Sequence, residues 1–172
     1  MGDLYDRVTS QQDVFKKLVS KIPGFEGYIE RENRRSADKL LRETIAARFQ
    51  ALWQRISGIQ RDLVNAGRIN LLDDVEQAEV KIRQFIDRVN TATYGYAGFF
   101  DAIKIRQDTL EQIYQYDLTL VELADQLSSA VDNLEASLDS DGLPAALRNL
   151  VQKAQDCLDA FNKRSEIMKA GQ

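Results

Sequence analysis

The feature that most constrains the fold of this 172-residue chain is a run of apolar residues spaced three and four positions apart. Such spacing keeps the side chains on one face of an α-helix, and its persistence over several turns is typical of coiled-coil-like packing. The second helix must therefore bury one long stripe against partner helices. The stripe comprises Leu41, Ile45, Phe49, Leu52, Ile56, Ile59, Leu63 and Ala66.

Two later segments repeat this spacing, and each contains one charged residue. The stripe from Leu110 to Leu138 is broken only by Asp117, and the stripe from Leu147 to Met168 contains Arg164 off pattern. A polar group in such a stripe needs a partner and can fix the register of the helices. We expect Asp117 to accept a hydrogen bond from a tyrosine or an arginine. A catalytic role for Asp117 would require a partner acid or base, and the sequence identifies none.

Glycine and proline divide the chain into five helices, at about residues 3–21, 28–66, 71–91, 108–139 and 144–169. Short connections between helices favour antiparallel neighbours. The sequence predicts an all-α fold in one domain over residues 1–172. Its architecture would be an up-down antiparallel four-helix bundle with long coiled-coil-like helices and an additional N-terminal helix.

The composition argues against several classes of function. The chain has no histidine, which removes His-based general bases, Ser-His and Cys-His pairs, and nearly all zinc and di-iron sites of helical bundles. A net charge of −4 does not provide the basic face of a nucleic-acid-binding protein. We therefore expect no catalytic residue, no metal site, no cofactor and no nucleic-acid partner.

Sequence features also bear on location. No apolar run approaches the roughly 18 residues that a membrane-spanning helix requires, and the first residues lack the apolar core of a signal peptide. The single cysteine, Cys157, excludes an internal disulfide and lies at a core position of the last helix. These features predict a cytoplasmic protein with a buried thiol.

Two segments rich in glycine and aromatic residues interrupt the helical pattern. Residues 91–100 hold four aromatic residues in a chain whose aromatic content is 8%. Residues 22–28 form a second such turn, and the charged run of residues 30–35 follows it. The helix lengths bring both segments to the same end of the molecule.

Tyrosine and arginine are enriched in binding surfaces, so these segments are the candidate partner-binding site. Its residues would be Phe25, Tyr28, Arg31, Arg34, Arg35, Tyr94, Tyr96, Phe99 and Phe100. A second interpretation stays open, in which the aromatic rings only fill the irregular end of the core. Asp101 would then cap a short helix through Ile105.

The sequence favours a non-enzymatic interaction or scaffold protein, which binds another protein through the glycine-aromatic end or associates with itself through unfilled helix seams. One alternative is a binder of small anionic ligands or a His-independent enzyme. There Tyr94 or Tyr96 would act as the acid, and Arg34 or Arg35 would hold an anionic group. The other alternative is peripheral membrane association, which acidic neighbours such as Glu26 would oppose on an anionic surface.

The segments Pro23-Gly-Phe-Glu-Gly-Tyr28 and Thr93-Tyr-Gly-Tyr-Ala-Gly-Phe-Phe-Asp-Ala-Ile-Lys-Ile105 resemble stretches of uncharacterised bacterial helical proteins. In those proteins, as here, a Pro-Gly-Phe-x-Gly-Tyr turn precedes an arginine-rich helix start. The resemblance covers roughly residues 20–125 and implies a bacterial origin and the same helical architecture. It implies no activity, cofactor or catalytic residue.

Overall fold

The computed structural model describes residues 2–92 and 97–170, and these residues form an all-α structure without strands. Two short 3₁₀ turns, Arg31–Asn33 and Ile69–Leu71, precede the second and third helices. The six α-helices of the described residues are α1 (Gly2–Lys21), α2 (Arg34–Asn65), α3 (Leu72–Thr91), α4 (Ala97–Asp101), α5 (Gln107–Ala136) and α6 (Leu143–Ala170). None of these helices is long and apolar enough to cross a membrane.

Two helix boundaries differ from those expected. Helix α2 begins at Arg34 rather than near residue 28, because Glu30 has an extended backbone (φ −77°, ψ 109°) and Arg31–Asn33 form a 3₁₀ turn. The short helix α4 ends at Asp101 instead of starting there. The Asp101 carboxylate accepts two hydrogen bonds from Arg35, at 3.2 and 2.7 Å, and so binds a neighbouring helix instead of capping its own segment.

The long helices pack in a defined set of pairs: α2 packs against α3 and α5, and α6 packs against the same two helices. Helix α1 packs against α5. The predicted stripe of α2 lies in this core, where its residues from Leu41 to Leu63 are buried. Its last member, Ala66, is exposed. Phe85 of α3 contacts Phe49 and Phe161, with ring centroids 4.2 and 5.9 Å apart, and so links α2 to α6.

Side-chain hydrogen bonds give the direction of each helix pair. Residues 42 and 57 of α2 bond residues 89 and 79 of α3, so these two helices run in opposite directions. Residues 81 and 88 of α3 bond residues 155 and 162 of α6, so α3 and α6 run in the same direction. Residues 48 and 55 of α2 lie beside residues 125 and 132 of α5, so α2 and α5 also run in the same direction.

This pairing differs from the expectation that consecutive long helices are neighbours. Within the described ranges, α3 packs against α2 and α6 rather than against α5. The connection between α3 and α5 therefore crosses the end of the molecule, and α4 belongs to that crossing. We call the end of the molecule where α2 and α5 begin and α3 and α6 end the cluster end, after the buried charged residues that lie there.

Cys157 is buried in α6, as predicted. Burial raises the pKa of its thiol to about 12, and the neighbouring Asp156 carboxylate adds to the rise. A thiol with such a high pKa is almost fully protonated at neutral pH and is a poor nucleophile.

The turn before α2 depends on a glycine at position 27. A Cβ atom added there would lie 2.6 Å from Tyr114 Oη and 2.8 Å from Phe15 Cε2, and the positive φ disfavours any L side chain. Gly67, between α2 and α3, has a similar φ of 73°, but nothing lies within 4 Å of its added Cβ. A substitution at Gly67 therefore tests backbone strain alone, whereas a substitution at Gly27 tests strain together with steric clash.

We predict that Gly67→Ala lowers the free energy of unfolding by about 1 kcal/mol, the strain of a positive φ alone. Gly27→Ala will lower it by at least about 2 kcal/mol more, because the added methyl group must displace two packed rings. Urea unfolding followed by circular dichroism measures both changes. Equal losses in the two variants would contradict the close packing around Gly27.

Candidate functional site

A network of buried charged side chains and one tyrosine lies at the cluster end, and we call it the ion cluster. All of its members are at most 6% exposed, and they come from α2, α5, α6 and the turn before α2. The members are Tyr28, Arg34, Asp38, Arg42, Asp117 and Arg164.

Arg164 of α6 is the centre of the ion cluster and is fully buried. Its Nε donates to Asp117 Oδ1 of α5 at 2.5 Å, and its Nη2 donates to Asp38 Oδ1 of α2 at 2.7 Å. Tyr28 Oη donates to the second Asp117 oxygen at 2.7 Å. The expectation that Asp117 accepts hydrogen bonds from a tyrosine or an arginine is confirmed, and both donors are present.

The other two arginines tie the ion cluster to the backbone. Arg42 donates from Nε to Asp38 Oδ2 at 2.7 Å and from Nη1 to the carbonyl of Val89, in the last turn of α3, at 3.0 Å. Arg34 donates to the carbonyls of Tyr28 and Ala102 at 2.7 and 2.6 Å. Carbonyls in the last turn of a helix have no partner within the helix, so Arg42 satisfies one of them.

Burial dominates the electrostatics of the ion cluster. It raises the pKa of Asp117 to about 6, although Arg164 and the Tyr28 hydroxyl act in the opposite direction. Burial and the nearby Asp117 carboxylate raise the pKa of Tyr28 well above its usual value, so its hydroxyl stays protonated and donates. With both carboxylates ionised, three guanidinium groups face two carboxylates, and the ion cluster has an excess of one positive charge.

Aromatic rings cover the ion cluster. Tyr28 lies 5.6 Å from Phe25, 6.0 Å from Phe100 and 5.2 Å from Tyr114 between ring centroids. The Tyr114 hydroxyl accepts the backbone N–H of Tyr28 at 2.7 Å, which fixes the turn against α5. Contact between Tyr28 and Phe100 confirms the prediction that the two glycine-aromatic segments meet at one end.

The structure places the sequence-predicted site residues in three groups. Two of them, Arg31 and Arg35, are exposed, whereas Tyr94 and Tyr96 lie outside the described residues. Five others are buried because the two segments pack on each other, and these side chains offer no surface to a partner: Phe25, Tyr28, Arg34, Phe99 and Phe100.

Sequence reasoning missed the roles of Asp38 and Arg42 and left Arg164 as an irregularity. A signal for Asp38 is present, because the stripe of α2 continues backwards from Leu41 by three residues to Asp38 and by four more to Arg34. Charged residues therefore occupy stripe positions on α2, α5 and α6 at the same end. Charges of opposite sign at such positions in different helices predict a buried ion pair.

A groove between α1 and α5 opens beside the aromatic cover, with a volume of about 540 Å³, and we call it the α1/α5 groove. Its apolar lining is Val14, Phe15, Ile29, Leu110 and Tyr114. Its polar lining is Ser10, Gln11, Gln12, Gln107, Asp108, Glu111, Gln112 and Gln115.

The charged groups of the ion cluster bind one another and backbone carbonyls, and each residue is at most 6% exposed. Within residues 2–92 and 97–170, no three His, Cys, Asp or Glu residues are grouped so as to hold a metal ion. The chain matches no family model, no curated protein and no solved structure.

We predict that Arg164→Met lowers the free energy of unfolding by about 3–5 kcal/mol, because it leaves two buried carboxylates without their shared guanidinium. Adding Asp117→Leu and Tyr28→Phe will recover most of this loss, since an apolar core replaces the ion pair. Exposed Arg148 on the same helix provides the control: Arg148→Met will change stability by less than about 0.5 kcal/mol. Unfolding in guanidinium chloride measures the stability of all three variants. A triple variant no more stable than Arg164→Met would contradict this account.

The raised pKa of Asp117 predicts how stability depends on pH. In the folded protein Asp117 binds a proton at about pH 6, whereas an aspartate in an unfolded chain binds it near pH 3.8. Relative to Asp117→Asn, the free energy of unfolding of the unmodified protein will therefore rise as pH falls from about 6 to about 4. The rise is about 1.4 kcal/mol for each unit of pKa difference. Urea unfolding at several pH values measures it, and a difference that stays constant between pH 7 and 4.5 would contradict the prediction.

Proposed function

We propose that this protein is a non-enzymatic interaction module that holds an amphipathic helix of a protein partner in the α1/α5 groove. The observation that carries the proposal is the groove itself: an apolar floor open to solvent, beside an end whose core is otherwise closed. Exposed apolar surface that lines a concave site is typical of an interaction surface.

The floor and one wall of the groove suit an apolar helix face. Phe15, Leu110 and Tyr114 form part of the floor, and Ile29 stands on the wall with 73% of its surface exposed. Val8 precedes Phe15 by seven residues on α1 and is also exposed, so it extends the apolar stripe beyond the groove. The lining on α5 spans residues 107–115, about 12 Å of helix. That length matches roughly two turns of a bound helix.

The polar lining favours a partner with basic flanks. Asp108 and Glu111 are the charged residues of the lining, and no lysine or arginine accompanies them. Asp108 is paired with Arg106 at 2.7 Å, and both side chains are largely exposed. Five glutamines complete the rim, and their amides both donate and accept hydrogen bonds. One of them bridges the two helices, from Gln107 Nε2 to Gln11 Oε1 at 3.3 Å.

Tyr114 connects the groove to the ion cluster. Its ring lines the groove, while its hydroxyl accepts the N–H of Tyr28, whose own hydroxyl bonds Asp117. A pre-formed floor reduces the entropy lost on binding. The buried network thus supports binding by holding the floor in place and has no chemical role of its own.

We extend the proposal to the architecture: α2, α3, α5 and α6 act as one four-helix bundle with coiled-coil-like packing, and α1 is added along α5. The four helices alternate in direction along the chain, but α3 lies beside the parallel α6. The pairwise packing and the opposed directions of α2 and α3 support this arrangement. The bundle is the scaffold, and α1 supplies one side of the binding groove.

The direct test uses two synthetic helical peptides with leucines at i, i+3, i+4 and i+7, one flanked by lysines and the other by glutamates. We predict saturable binding of the lysine-flanked peptide in fluorescence anisotropy and at least tenfold weaker binding of the glutamate-flanked peptide. Ile29→Asp will weaken binding of the lysine-flanked peptide at least tenfold, because a desolvated charge would face its apolar stripe.

Ile69 is the matched control, since it is 70% exposed and lies between α2 and α3 at the opposite end. Ile69→Asp will leave peptide binding unchanged. Equal binding of the two peptides, or equal losses in the two variants, would contradict the proposal. A dimer in sedimentation that Ile29→Asp dissociates would assign the groove to a second copy of this chain instead.

A further inference from the structure

A second concave site lies on the other side of the ion cluster, between α2 and the end of α3. This cleft has a volume of about 410 Å³, and we call it the α2 cleft. Its lining residues are Arg35, Ser36, Lys39, Arg42, Glu43 and Asn90. It shares no lining residue with the α1/α5 groove.

Three cations of the α2 cleft share one face of α2. Arg35, Lys39 and Arg42 are spaced at i, i+4 and i+7, which places their side chains side by side. Glu43 is the one acid of the lining, and its Oε1 lies 3.8 Å from Lys39 Nζ. That separation is an ion pair without a hydrogen bond, so the lysine keeps its donors for another acceptor.

Donors outnumber acceptors in the cleft. Arg42 is 6% exposed and uses Nε and Nη1 on Asp38 and Val89, whereas its Nη2 donates to no group among the described residues. The Ser36 hydroxyl and the Asn90 side-chain amide also make no hydrogen bond to any residue within 2–92 and 97–170. Arg35 binds Asp101 through Nε and Nη2 and retains Nη1. A ligand with several acceptor oxygens would satisfy the two guanidinium donors, and Ser36 and Asn90 could also donate to it.

The charge behind the cleft also favours an anion. Arg42 belongs to the ion cluster, where three guanidinium groups face two carboxylates. A buried excess of positive charge is costly, and an anion at its edge offsets that cost. The first turn of α2 contains no acidic residue, and Asn33 at its N-cap makes no side-chain capping bond. The positive end of the α2 dipole therefore lacks a carboxylate, although the last turn of α3, which ends at the same cleft, carries the opposite partial charge.

We propose that the α2 cleft binds a phosphoryl group, either as inorganic phosphate or as the head of a small phosphomonoester. Arg42 Nη2 holds one oxygen from the inner side, exposed Lys39 holds a second, and Ser36 and Asn90 donate from the rim. Arg35 closes the outer edge, where Asp101 orients its guanidinium. A phosphoryl group has three acceptor oxygens and up to two negative charges, which fits this excess of donors and cations.

The experiment is an NMR titration of ¹⁵N-labelled protein with inorganic phosphate and, separately, with phenyl phosphate. Sodium chloride keeps the ionic strength constant, because ion binding of this kind is sensitive to screening. We expect saturable shifts of the backbone amides of Ser36 and Lys39 and of the Asn90 side-chain amide. Tighter binding of phenyl phosphate identifies a phosphomonoester as the ligand, whereas equal or weaker binding shows that the cleft recognises the phosphoryl group alone.

Variants locate the site. Arg35→Gln combined with Lys39→Gln removes two exposed cations and will weaken binding at least tenfold, while Ser36→Ala will weaken it about threefold to tenfold. Arg83→Gln on α3 is the matched control, because Arg83 has similar exposure and also pairs with an acid four residues away, and it will leave affinity within twofold. Circular dichroism confirms that each variant is folded.

Absence of saturable shifts, or equal affinity in the double variant and the control, would overturn the proposal. The outcome is separable from that of the proposed function. Binding of the lysine-flanked peptide requires Ile29 and the α1/α5 groove, whereas phosphate binding requires Lys39 and the α2 cleft.

Discussion

The guanidinium of Arg164, held between two carboxylates in the core, is the interaction on which the rest of the structure depends. It joins α6 to α5 through Asp117 and to α2 through Asp38. Arg42 then extends the network to the last turn of α3. Apolar stripes alone would allow these four helices to slide past one another, and the buried network fixes them in one register. An ion pair of this kind contributes less to stability than to specificity, because desolvation offsets much of its attraction.

The same network explains why the cluster end is closed. Arg34 binds the carbonyls of Tyr28 and Ala102, so the turn before α2 and the segment after α4 lie together over the buried charges. The crossing connection that contains α4 needs this anchor, since it leads from α3 to a helix that α3 does not pack against. Aromatic rings then exclude water from the charged groups, which strengthens the hydrogen bonds beneath them. Two sites remain open on either side, the α1/α5 groove and the α2 cleft.

The sequence predicted the helices because their apolar stripes repeat over many turns, and the burial of α2 from Leu41 to Leu63 follows that pattern. It also predicted that Asp117 needs a partner and that the two aromatic segments meet. It did not predict the pairing of α3 with α6, because stripe spacing identifies a buried face without naming the helix that covers it. The buried aromatic residues agree with the second interpretation, in which the rings fill the irregular end of the core. Periodicity could not choose between the two interpretations, because Phe100 and Tyr28 lie in segments without it. The burial of Asp38 could have been predicted, since Asp38 continues the α2 stripe.

The most direct measurement of the central claim is the solvent exchange of arginine Nε–H protons by NMR. In the ion cluster, the Nε atoms of Arg34, Arg42 and Arg164 each donate a hydrogen bond and are shielded from water. We predict that these three protons exchange at least a hundredfold more slowly than that of half-exposed Arg35, with Arg164 the slowest. Exchange of the Arg164 proton as fast as that of Arg35 would contradict a closed ion cluster and the register that depends on it.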